Sequence, residues 1–92
     1  MKALGAVVLA GGIAIGVAPV AAAGESEYLH QLQPKLAYLS TEQLLTEGYK
    51  VCRYISVGRP SADGIPMVVK DLGISVAAAL NIVAAAVEEL DC

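Results

Sequence analysis

The chain has few of the residues on which common active sites depend. It contains no tryptophan, no phenylalanine, one histidine and two cysteines among 92 residues. His30 belongs to no nucleophile motif, and the first aspartate in the chain is Asp63. A zinc site needs three or four closely spaced Cys, His or carboxylate ligands, which this set does not supply. The sequence therefore predicts no enzymatic activity, no metal site and no cofactor.

Positive charge is also scarce. Six Lys and Arg residues stand against nine Asp and Glu, which gives a net charge of −3. A nucleic-acid-binding domain needs clustered cations to neutralise phosphates. This balance excludes nucleic acid as a partner and disfavours adhesion to an anionic lipid surface.

The N-terminal 23 residues are predicted to be a secretory signal peptide. Lys2 supplies the positive charge, and an uncharged apolar stretch follows from residue 3 to residue 18. Ala21 and Ala23 have the small side chains that a peptidase requires before the cleaved bond, so cleavage is predicted between Ala23 and Gly24. The alternative is an uncleaved anchor, because residues 3–23 are long enough to span a bilayer. Membrane contact would then be limited to this segment.

The predicted mature domain, residues 24–92, carries a net charge of −4, since removal of the signal takes away Lys2 and no acid. Its hydrophobic pattern favours helices, and no alternating strand pattern is visible. Four helices are predicted, with approximate bounds Ser26–Gln33, Ser40–Gly58, Ser61–Leu72 and Ser75–Leu90. The predicted fold class is all-α, a small bundle of four short helices with one disulfide, preceded by the signal-peptide helix.

The two cysteines, Cys52 and Cys92, are predicted to form that disulfide. Export places them in an oxidising compartment, where pairing is the simplest outcome. The bridge would close a loop of about 40 residues and contribute about 4 kcal/mol in the loop-entropy model. A bond between two copies of the chain is the alternative, and it would give a covalent homodimer.

The last predicted helix is apolar on nearly every side. Its main buried stripe is predicted to consist of Val76, Leu80, Val83, Val87 and Leu90. A second apolar side consists of Ala78, Ile82 and Ala86. Because such a helix is normally buried on several sides, we expect it to be central. The alternative is that the second side is a surface for a protein partner.

The remaining polar features have structural explanations. Glu88, Glu89 and Asp91 follow the last apolar turn, and neighbouring side chains on a helix diverge, so we expect solvated acids rather than a cation site. The acids lie at the negative end of the helix dipole, which is locally unfavourable. The four tyrosines are expected to be divided between core and surface rather than to bind haem.

Three stretches of the chain resemble a known family: "YLHQLQ", "EGYKVCRYISVGRPSADGI" and "LGISVAAALNIVAAAVEELDC". The pattern is similar to that of small secreted mycobacterial and mycobacteriophage proteins that share domain of unknown function 732. The matching positions are Gly48, Val51, Cys52, Gly58, Gly73 and Cys92. The resemblance implies a helical, disulfide-linked exported domain, and it brings no activity and no catalytic residues.

These observations predict an exported protein of the cell envelope or the extracellular space. The function expected is non-enzymatic binding of a protein partner. The alternative is a carrier that holds a small apolar ligand, a lipid or haem, between its helices.

Overall fold

The computed structural model describes the backbone of residues 17–92 and the side chains of residues 24–92. Its elements are α1 (Val17–Leu32), α2 (Thr41–Ile55), a 3-10 turn (Ser61–Asp63), α3 (Gly64–Leu72) and α4 (Val76–Glu89). The described part of the chain is thus a compact all-α domain of four helices, and the predicted fold class is confirmed. The first sixteen residues of the predicted signal peptide lie outside the described residues.

Serine side chains begin two of the helices. At the start of α2, the Gln43 backbone N–H donates to Ser40 Oγ over 3.0 Å, and the Ser40 N–H donates to Gln43 Oε1 over 2.9 Å. This is a capping box, in which two backbone donors are satisfied at once. At the start of α4, the Ala78 N–H donates to Ser75 Oγ over 3.1 Å.

Glycine and proline set the ends of the middle helices. Gly73 adopts a left-handed conformation (φ 64°) after α3, and its N–H donates to the Val69 carbonyl, which ends the helix as predicted. Pro66 lies in the first turn of α3, where its missing N–H removes no helical hydrogen bond.

The observed bounds of three helices differ from those predicted. The predicted third helix is divided into the 3-10 turn and α3. The second ends at Ile55, before Gly58, and the first extends in the N-terminal direction to Val17.

Helix α4 is the centre of the domain, because α1, α2 and α3 all pack against it. The predicted central position is therefore confirmed. Its buried side chains are Ala78, Ala79, Ile82, Val83, Ala85 and Ala86. The alanines let the neighbouring helices approach closely, and Ile82 fills the space between them.

The buried stripe of α4 is only partly the predicted one, because Val83 and Leu90 are buried (3% and 8% exposed) and the other three members are not. Val76, Leu80 and Val87 of the predicted buried stripe are 64%, 51% and 39% exposed. The alternative, a partner surface on the second apolar side, is wrong, since Ala78, Ile82 and Ala86 are only 7%, 0% and 0% exposed. The other three helices pack closely only against a face of α4 with small side chains, and the alanines form that face. Val76, Leu80 and Val87 are consequently left on the outside.

The predicted disulfide between Cys52 and Cys92 is present, with its Cα atoms 4.9 Å apart. Helix α4 ends at Glu89, and Asp91 then adopts a left-handed conformation with φ 62°. The chain therefore leaves the helix before Cys92, which brings the sulfur to α2. The C-terminal end of α4 is covalently held against the side of α2.

Candidate functional site

An uncharged apolar strip runs along the outside of α4. Val76, Leu80, Ala84 and Val87 recur at helical spacing, and all four are exposed. We call these four residues the α4 outer face. No charged residue occurs between Val76 and Val87. An uncharged strip of this kind is suited to contact with another apolar surface.

A cleft of about 280 Å³ lies beside the α4 outer face. The 3-10 turn and α3 form its other wall. Its lining residues are Ser61, Ala62, Ile65, Leu80, Val83, Ala84, Val87 and Glu88. Most of this lining is apolar, and Glu88 supplies a single negative charge. The cleft could therefore accept an apolar side chain with a polar or cationic group beside it.

A second cleft, of about 600 Å³, has a charged lining. Its residues are Tyr54, Ala62, Asp63, Pro66, Met67, Lys70 and Asp71. The Arg59 guanidinium stacks over the Tyr54 ring, 4.3 Å from the ring centroid. Charges of both signs surround this cleft, so it does not favour a ligand of one charge.

Glu47 is the one charged residue buried in the described core, and it is only 5% exposed. Its Oε2 has no hydrogen-bond partner among the described residues. Burial, followed by the neighbouring Asp71 carboxyl, raises the pKa of Glu47 to about 7, and Lys50 opposes this shift. Lys50 Nζ is 2.6 Å from Asp71 Oδ2, and this hydrogen bond is the main reason that the pKa of Asp71 is lowered.

The helical spacing of α2 contains a signal for this buried acid, although no motif of the sequence indicates it. Glu47 lies three residues after Leu44 and four before Val51, and both of those side chains are fully buried. Positions at these spacings share one face of a helix. Continuing the apolar stripe of α2 through Glu47 would have placed a carboxyl group in the core.

The other polar residues singled out in the sequence are dispersed. His30 is exposed on α1, and no group of three or more His, Cys, Asp or Glu side chains in residues 24–92 is arranged to hold a metal. Glu89 accepts a hydrogen bond of 2.8 Å from Gln31, whereas Glu88 and Asp91 are exposed. The three acids at the end of α4 therefore do not converge on a common site.

The tyrosines are divided between core and surface, as expected. Tyr28 is fully buried, and its hydroxyl donates to the Leu44 carbonyl. Tyr49 donates a hydrogen bond of 2.6 Å to Glu25, Tyr54 lies beneath Arg59, and Tyr38 is exposed. The four rings therefore do not form a shared pocket.

The predicted cleavage position, Ala23 and Gly24, lies within the span of α1. A Cβ atom built on Gly24 would lie 2.6 Å from the Glu89 carbonyl oxygen, so only glycine fits this approach without displacement. The backbones of α1 and α4 are consequently in contact at this point. Cleavage itself stays a prediction.

The family model described as "Protein of unknown function (DUF732)" matches residues 21–92. The chain belongs to the DUF732 family. Comparison of this DUF732 chain with curated proteins and with solved structures gave no match. The matched span contains all of α2, α3 and α4 and both cysteines of the disulfide. Within residues 17–92, no helix combines the length and the apolar character that crossing a bilayer requires.

Proposed function

We propose that this DUF732 domain is an exported, non-enzymatic module that binds a protein partner through the α4 outer face. The observation that carries the proposal is the exposure of Val76, Leu80 and Val87 on the central helix. Burying a large aliphatic side chain contributes about 1.5–3 kcal/mol, so such residues on a small domain favour contact with a partner.

The surroundings of the α4 outer face indicate the chemistry of that partner. The cleft beside Leu80 would receive an apolar side chain, and Glu88 would lie next to a cation or hydrogen-bond donor. A disulfide that ties the end of α4 to α2 gives this surface a fixed position. The disulfide also supports an extracytoplasmic location, because such bonds persist in oxidising compartments. We place the module in the envelope or outside the cell.

A photo-reactive amino acid at position 80 would test the partner-binding proposal directly. The full chain, exported from a native host, is expected to cross-link to one defined protein from position 80. The same probe at Thr46, an exposed site on α2, serves as the matched control and should give no such product. Val76→Glu should abolish the cross-link without lowering the melting temperature, because Val76 is 64% exposed and lies in the first turn of α4, where the helix dipole favours an acid.

The cross-linking result distinguishes between the possible partners of the α4 outer face. A cross-link to a second copy of the chain would identify the partner as the domain itself, in a homodimer. A strictly monomeric protein that gives no product from position 80 would overturn the proposal.

The second candidate is a carrier of a small apolar ligand, such as a lipid or haem. The apolar lining of the 280 Å³ cleft favours it, although ligand sites are commonly about 300–1,000 Å³. Native mass spectrometry of the exported protein would reveal a bound molecule. A spectrum that contains only the polypeptide mass would count against the carrier.

A further inference from the structure

The start of the predicted mature domain lies against the end of α4. The contact between Gly24 and the Glu89 carbonyl oxygen places the Gly24 backbone at this end of the helix. The Gly24 nitrogen is one bond from the Cα atom that makes this approach. Any charge on that nitrogen would therefore be close to the last turn of α4.

That end of α4 has an excess of negative charge. The last carbonyl groups of a helix have no partner further along it, and together they form the negative pole of its dipole. Glu88, Glu89 and Asp91 add three acids at the same place, and the last turn of α4 contains no basic residue. A cation at this position would stabilise the helix.

We propose that cleavage of the Ala23–Gly24 bond supplies this cation, because the new α-ammonium group of Gly24 docks at the carbonyl end of α4. The inference rests on the predicted cleavage position and is independent of partner binding. Hydrolysis adds one water across the amide, which leaves a carboxylate on Ala23 and a protonated amine on Gly24. Before cleavage, Gly24 lies within the span of α1 and its amide nitrogen is uncharged.

Cleavage also changes the electrostatics of α1 itself. In a helix that begins at Gly24, Glu25 and Glu27 fall in the first turn, where acids are favoured by the dipole. The Tyr49 hydroxyl already holds Glu25 in place from α2. The titratable groups near the new ammonium are thus these two glutamates on α1, Tyr49 on α2 and the three acids at the end of α4. The positive pole of α1 disfavours the charged form of the amine, and the five acids together with the carbonyl end of α4 outweigh it in this proposal.

Removal of the terminal amine tests the proposal. The full chain is exported from a processing host, and intact mass spectrometry establishes the new N-terminus. Transamination selective for the α-amine then converts the Gly24 amine to a carbonyl group and leaves the lysines unchanged. At pH 7 the unmodified domain should melt about 4–8 °C above the modified one.

The pH dependence of this difference identifies the ammonium as its cause. Nearby acids raise the pKa of the amine in the folded domain above the ordinary value of about 8. The stabilisation is therefore fully present below about pH 8 and is lost as the pH rises through the raised pKa. The melting temperatures of the two forms should converge above this pH.

A matched control keeps the charge but moves it. Insertion of two serines between Ala23 and Gly24 yields a mature chain whose ammonium is displaced from α4, and transamination of this chain should leave its melting temperature unchanged. Equal melting temperatures for the modified and unmodified wild-type domain at pH 7 would overturn the proposal. Cleavage at a different bond would do so as well. Neither result would alter cross-linking from position 80, so failure here is distinguishable from failure of the proposed function.

Discussion

Gly48 on α2 makes the room that Tyr28 on α1 occupies. A Cβ atom built on Gly48 would lie 2.5 Å from the Tyr28 hydroxyl oxygen and 2.7 Å from Leu90 Cδ1. Without that atom, the Tyr28 ring is fully buried, and its hydroxyl reaches the Leu44 carbonyl one turn earlier on α2. This relationship sets how closely α1 and α2 pack.

Gly48→Ala is expected to destabilise the domain. Helix propensity alone would stabilise it by about 1 kcal/mol. Overpacking a filled core usually costs about 1–3 kcal/mol, and here the new atom meets the Tyr28 ring, so we expect a net loss of up to about 2 kcal/mol. Urea denaturation measures this change. Thr46→Ala, an exposed change on the same helix, should raise the midpoint slightly through helix propensity alone, whereas a higher midpoint for Gly48→Ala would contradict the packing argument.

Loss of the disulfide should have the largest effect of any change considered. The bond joins residues separated by 40 positions, and removal of such a bond from a small domain costs about 2–5 kcal/mol. The double variant Cys52→Ser with Cys92→Ser avoids a single unpaired thiol. We expect its melting temperature to fall by more than about 10 °C. A melting curve that coincides with that of the oxidised wild type would show that the bond does not hold the domain together.

Replacement of the α2 cap should give a smaller and local loss. Ser40→Ala removes the side-chain acceptor of the Gln43 N–H and disrupts the capping box. Substitutions of this kind cost about 1 kcal/mol. Thermal unfolding followed by circular dichroism would measure the change. Ser61→Ala is the matched control, because Ser61 is exposed in the 3-10 turn and caps no helix; equal losses in the two variants would refute a capping role for Ser40.

Features that depend on a few neighbouring residues could be predicted from the sequence. The capping box at Ser40 and the helix stop at Gly73 follow from backbone hydrogen bonding and from the conformations that glycine allows. The disulfide could also be predicted, because the chain contains only two cysteines. Gly73 and both cysteines are also among the positions that carry the family resemblance.

The orientation of α4 could not be predicted by the same reasoning. Hydrophobicity ranks Leu80 above Ala86, yet Leu80 is half exposed and Ala86 is fully buried. The decisive quantity is how closely three other helices approach α4, which is a property of the assembled bundle. Glu47 was missed for a related reason, since a carboxyl group on an apolar face is ordinarily assigned to solvent.

Stability should fall as the pH rises from 5 to 8, because of Glu47. Burial and Asp71 raise the pKa of Glu47 from 4.5 to about 7, so the folded domain binds a proton that the unfolded chain releases. For a raised carboxyl pKa, the stabilisation is fully present below the unfolded value and is lost as the pH rises through the folded value. We expect a loss of about 1–3 kcal/mol between these limits, measured by urea denaturation across the pH range.

Glu47→Gln isolates the contribution of this residue. The amide resembles the protonated carboxyl group in shape and stays neutral at every pH in the range. The variant should match the wild type near pH 5, exceed it in stability near pH 8 and show a flatter profile. Lys50→Met is the control, since it removes a cation that favours ionised Glu47. This variant should lose more stability between pH 5 and 8 than the wild type does. If Glu47→Gln and the wild type lost stability in parallel between pH 5 and 8, the buried carboxyl group would not be the titrating residue.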